Sequence, residues 1–127
     1  LINVQMEGSE GMAAMQQLMA KFRSAPPKSL AGIPVAGIRD YLNGKTLRLD
    51  GSSQPLAGPT GDLVILDLEE EGNYVAVRPS GTEPKVKFYI FTRLGPEQSQ
   101  DLKFAQQTLS NRISRLEKDV RAFALAD

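Results

Sequence analysis

Cysteine and histidine are both missing from this chain. Their absence excludes Ser-His-Asp and Cys-His nucleophile systems, zinc sites of the usual kind and disulfides. A chain without cysteine fits a reducing compartment, and the cytoplasm is the expected location, although secreted proteins can also lack disulfides. No run approaches the roughly 20 apolar residues of a membrane span, and the N-terminus has no basic region followed by an apolar core. An excess of one charge is lacking too, since 15 Lys and Arg balance 15 Asp and Glu. Neither nucleic acid nor a membrane surface is therefore an expected partner of the chain as a whole. Any anion site has to be local.

What remains is the composition of an ordinary soluble globular protein, and 127 residues suit a single domain, 1–127, around one core. The first residue is Leu1, and no targeting pattern comes after it. The chain is accordingly expected to be a domain cut from a longer polypeptide.

Met12, Met15, Leu18, Met19 and Phe22 recur at helical spacing, Ser9 is placed to cap, and Pro26-Pro27 forbids continuation. This predicts an amphipathic helix whose methionines fill the core. Ile33 to Tyr41 reads as a strand broken or bulged near Gly37. Asn43 to Asp62, rich in Gly, Ser, Pro and Thr, reads as a long loop broken only by Leu47-Arg48-Leu49. Leu63 to Leu68 is a strongly apolar strand, Glu69 to Asn73 a polar turn, and Tyr74 to Arg78 the returning arm. Val86 to Thr92 supplies a third arm. Gly95-Pro96 is expected to open a last helix, with Glu97 and Asp101 near its positive end. Its stripe of Leu102, Ala105, Leu109, Ile113, Leu116, Val120 and Phe123 either packs on the sheet or forms a seam for a partner. The sum is an α+β fold, a mainly antiparallel sheet of about four strands with two helices on one face.

The connection between the second and third arms carries the chemistry: Arg78-Pro79-Ser80-Gly81-Thr82-Glu83-Pro84-Lys85. The planar fork of Arg78 matches phosphate oxygens in pairs. Ser80 and Thr82 add hydroxyl donors, while Gly81 permits the positive φ that turns consecutive amides toward one centre. With prolines at 79 and 84, the available amides are those of Ser80, Gly81, Thr82 and Glu83. Lys85 and Lys87 lie on the face opposite Val86 and Phe88, where either adds positive charge. Glu83 would repel an inward phosphate, so it points away or braces a cation. The same composition also makes an ordinary turn.

The longer run Val77 to Ile90 resembles the signature of the C-terminal domain of the α-D-phosphohexomutases, the family of phosphoglucomutase and phosphomannomutase. Its Lys85-Val86-Lys87-Phe88-Tyr89 ending is more similar to the longer phosphoglucomutase and phosphopentomutase-like members than to the glucosamine mutases. The resemblance implies a TATA-binding-protein-like fold and the last place among four domains, the other three being partners of this one. It also implies a loop, Arg78, Ser80, Gly81 and Thr82 with Lys87 in addition, that grips the phosphate not being transferred. The parent reaction it implies moves phosphate between the C1 and C6 hydroxyls of a hexose through a bisphosphate, using a phosphoserine and a magnesium ion. This chain has no Thr-Ala-Ser-His-Asn run and no Asp-Gly-Asp run. Alone it is expected to hold phosphosugar, bind no cofactor and transfer nothing. A non-enzymatic phospholigand or protein-interaction module is the alternative.

Overall fold

The computed structural model describes residues 2–5, 11–48, 50–70, 72–81, 83–94 and 101–126, with the backbone alone described over 2–5. The first helix, α1 (Gly11–Ser24), comes after strand β1 (Ile2–Gln5). Met15, Leu18, Met19 and Phe22 are buried as the spacing predicts, and the helix stops ahead of Pro26-Pro27. Met12 is 49% exposed and leaves the core to Met15 and Met19. The expected cap, Ser9, lies outside the described residues.

Strands β2 (Ser29–Leu30) and β3 (Ile33–Asp40) pair across the turn at Ala31-Gly32. Ala31 holds a left-handed φ of 53°, and its amide donates to Asp119 Oδ2 at 2.7 Å, so the closing helix pins this turn. The predicted irregularity in β3 is present as a register shift between Val35 and Gly37.

The expected loop from Asn43 to Asp62 is instead largely a hairpin, β4 (Lys45–Arg48) with β5 (Ser53–Pro55). Its backbone bonds go to the sheet edge, and its side chains remain largely in water, so it carries no apolar periodicity to read. Strands β6 (Val64–Leu68), β7 (Tyr74–Pro79) and β8 (Lys85–Phe91) form the expected three arms. The path runs β1-β8-β7-β6-β3-β4-β5, with β2 beside β3 and every pairing antiparallel. Among the described residues the sheet therefore has eight strands rather than about four. The additional ones are short and lie toward the edges.

Alternation along the three arms sorts the side chains onto two faces. Val64, Leu66, Leu68, Val75, Val77, Val86 and Phe88 point into the core shared with both helices. The opposite face carries Arg39, Ile65, Asp67, Tyr74, Ala76, Arg78, Lys87, Tyr89 and Phe91. There Arg39 makes a bidentate pair with Asp67 at 2.8 Å for each bond, and Tyr74 stacks on Phe91 with centroids 4.5 Å apart.

Helix α2 spans Leu102–Leu125, and its N-cap, Asp101, accepts from the Phe104 amide through its carboxylate. The opening expected at Gly95-Pro96 lies outside the described residues. The apolar stripe packs unevenly: Ala105, Leu116 and Val120 are buried, whereas Leu102 is 71% and Ile113 36% exposed, and Phe104 outside the stripe is 58% exposed. A helix of 24 residues is about 36 Å long against roughly 24 Å for β8, so its full stripe finds no matching length of strand. Its buried end meets α1, where Phe22 lies against Phe123 and Lys21 Nζ donates to the Phe123 carbonyl at 3.0 Å. No helix among the described residues is long and apolar enough to cross a membrane.

Candidate functional site

The loop from Arg78 to Lys85 leaves the sheet between β7 and β8, two inner strands whose ladder fixes where it starts and ends. Arg78 and Lys87 are direct cross-strand partners, both on the face away from the helices. Like charges placed opposite one another destabilise a sheet, by up to roughly 1 kcal/mol. Among the described residues neither cation has a carboxylate partner. Lys85 does have one, Glu83 at 3.6 Å, so Glu83 braces a cation rather than facing inward alone.

The turn is closed from within. Ser80 N donates to the Lys85 carbonyl at 2.9 Å, Glu83 N donates to Ser80 Oγ at 3.3 Å, and Lys85 N donates to the Glu83 carbonyl at 2.8 Å. Two of the four amides expected to face an anion, those of Ser80 and Glu83, are thus engaged by the loop itself. Gly81 is exposed and does not take the positive φ expected of it, because these bonds close the turn without a left-handed residue there. A Cβ at Gly81 would meet nothing within 4 Å, so the ground beside its amide is open. Thr82 lies outside the described residues.

Beside Arg78 the sheet end opens into a cleft of about 440 Å³, lined also by Tyr41, Pro59, Thr60, Gly61, Asp62 and Leu63. The 61–63 segment is tied to the end of β3, with Tyr41 N donating to the Leu63 carbonyl at 3.0 Å and Gly61 N to the Tyr41 carbonyl at 3.3 Å. Gly58 lets the Tyr41 ring lie close: its φ is 134°, and a Cβ there would stand 3.2 Å from Tyr41 Cε1.

Behind this wall sits a charged triad. Arg23, in the last turn of α1, donates from Nε to Asp40 Oδ1 at 3.0 Å and from Nη2 to Asp62 Oδ1. Asp40 is 2% exposed and also accepts from the Leu42 amide at 3.1 Å and from Asn43 Nδ2 at 2.6 Å. Burial pushes the Asp40 carboxyl up, but the bonds from Asn43 and Arg23 and the charge of Arg23 outweigh it and hold it below the usual carboxylate value. A carboxyl depressed on folding adds stability that is complete above its unfolded value and is lost as pH falls through its folded one. Urea midpoints should therefore fall from about pH 5 downward, and Asp40→Asn should flatten that slope. An unchanged slope in the variant would refute the assignment.

The sequence pattern marks the basic loop and Lys87 but not Arg23, Tyr41 or Asp62. Asp62 directly before the apolar Leu63 strand was the available signal.

No group of three or more acidic side chains that could hold a metal ion occurs among the described residues. Asp40 and Asp67 are already occupied by Arg23 and Arg39.

Fold and loop together define a class: an α+β domain that presents a basic, hydroxyl-bearing turn between two inner strands of a helix-backed sheet. The family model for the phosphoglucomutase/phosphomannomutase C-terminal domain matches residues 1–103, and the chain belongs to that family. A phosphoglucomutase of Staphylococcus aureus (strain bovine RF122 / ET3-1) is 41% identical over 85 residues, which is 67% of this chain and 15% of that protein. Phosphoglucomutases of strains N315 and MSSA476 are 40% and 39% identical over the same length and shares. The matched segment spans 15% of the length of these curated relatives.

Proposed function

We propose that this chain is the phosphate-holding domain of a phosphohexomutase, and that it clamps the phosphate not being transferred. The observation that carries this reading is the juxtaposition of Arg78 and Lys87 on the open face, without carboxylate partners among the described residues. A phosphate between them removes their repulsion, and the Ser80 hydroxyl and the Gly81 amide stand on the adjoining turn. A turn already closed by three internal bonds has little ordering left to do when the ligand arrives.

In the parent reaction a phosphoserine gives its phosphoryl group to the free hydroxyl of a hexose monophosphate, leaving serine and a bisphosphate. The bisphosphate turns over, and its other phosphoryl group returns to the serine. A clamp built on cations and a backbone amide reads phosphate and accepts both orientations. Binding energy at this remote phosphate then orients the reacting oxygen. The phosphoserine, a magnesium ion and the three other domains belong to the proposed parent, which would act in the cytoplasm.

The test uses the protein expressed from its complete reading frame, assayed with glucose 1-phosphate. Arg78→Ala should lower kcat/KM by roughly 10- to 100-fold, the loss of a charge-assisted hydrogen bond. Unchanged kinetics, or no mutase activity in the parent, would sink the reading.

The exposed Leu102 and Phe104 favour a second reading as a non-enzymatic protein-interaction module. A concentration-dependent dimer in sedimentation would support it, and mutase activity lost with Arg78 would exclude it.

A further inference from the structure

The cleft beside Arg78 is lined by groups of opposite charge. Arg78 supplies a cation. Asp62 supplies a carboxylate, and its side chain is 43% exposed. A carboxylate close to a phosphate clamp would weaken it by simple repulsion. Here that charge is partly offset, because Arg23, which also pairs with Asp40, binds Asp62 Oδ1. The second oxygen, Oδ2, has no partner among the described residues. A carboxylate bonded at one oxygen and open at the other suits hydroxyl donors and disfavours a second anion. Tyr41 and Pro59 add apolar surface to the lining, and the volume of about 440 Å³ is that of a small-ligand site.

We propose that this cleft seats the polyhydroxyl part of the phosphate-bearing ligand, with Asp62 accepting bonds from sugar hydroxyls and Tyr41 covering a C–H face. The proposal rests on the phosphate-clamp reading and adds specificity to it: the domain reads the sugar as well as its phosphate. Arg23 holds the wall in place by joining Asp62 to the buried Asp40.

The test compares two probes, inorganic phosphate and glucose 6-phosphate, on the protein expressed from its complete reading frame. Binding is monitored at the amide resonances of Ser80 and Gly81, which localise it to this loop. Asp62→Asn keeps the side-chain shape and an acceptor for Arg23. It should raise the Kd for glucose 6-phosphate roughly tenfold and leave that for inorganic phosphate unchanged. Tyr41→Leu, which leaves the Arg23 pairs intact, should show the same selectivity and serves if the first variant does not fold. Weakening of both probes together, or of neither, overturns the proposal. Arg78→Ala should weaken both probes. If it weakens neither, the clamp reading fails and takes this inference with it. Loss of selectivity at Asp62 and Tyr41 alone removes only the sugar-reading role.

Discussion

Phe22→Ala lowers the unfolding free energy by about 3–5 kcal/mol, the range for deleting a buried phenyl ring. The upper part of that range applies. Phe22 is fully buried and stands at the junction of three elements, with its ring 5.6 Å from Phe88 in β8 and 5.0 Å from Phe123 in α2. The interplanar angles of 59° and 56° are those of tilted pairs, each of which adds roughly 0.5–1.5 kcal/mol beyond burial. Alanine removes both pairs and leaves a void that two helices and a strand cannot close together. Against a typical domain stability of about 5–15 kcal/mol, the variant is marginal. Urea unfolding measures the effect, and Phe22→Leu, which loses the same two ring pairs but leaves a smaller void, should cost about 1–3 kcal/mol. Equal losses for the two variants would mean that the larger void left by alanine adds nothing to the loss of the two ring pairs.

The next residue carries the second large effect. Arg23→Ala should cost about 3 kcal/mol, the lower end of the range for removing one member of a buried ion pair. The low end is expected because Asp40 keeps the Leu42 and Asn43 donors after the arginine has gone. The arm to Asp62 adds less than about 1 kcal/mol, since that carboxylate is nearly half exposed. Adding Asp40→Asn to Arg23→Ala should recover part of the loss by removing the stranded charge. A single variant within experimental error of the parent chain, or a double variant less stable than the single one, would contradict this account.

The three arms β6, β7 and β8 were legible because their apolar residues either run continuously or alternate, and a polar turn at Glu69 to Asn73 separates the first two. α1 was legible for the same reason, with Pro26-Pro27 marking its end. The hairpin of β4 and β5 was not. Lys45, Arg48, Ser53, Gln54 and Pro55 are all exposed, so no burial pattern marks them as strand, and Asn43-Gly44 and Asp50-Gly51 are the hairpin signals in the segment. At the site, Arg78 and Lys87 could be placed on one face by counting along two arms. The cleft could not, because Arg23 meets Asp62 across 39 positions, and only the β3–β6 register brings Tyr41 alongside Leu63. Gly81 shows the opposite limit: its type permits a left-handed turn, but hydrogen bonds from its neighbours close the loop in another way.

The hairpin also governs how copies of this protein behave in a crowded solution. An open sheet ends in unpaired backbone groups that can template growth by a stray strand. Here one border is β5, three residues of serine, glutamine and proline, all exposed. Proline withholds a donor, and the short polar strand gives an incoming chain little to pair with or to bury. The segment that looks least structured therefore seals one side of the sheet against aggregation.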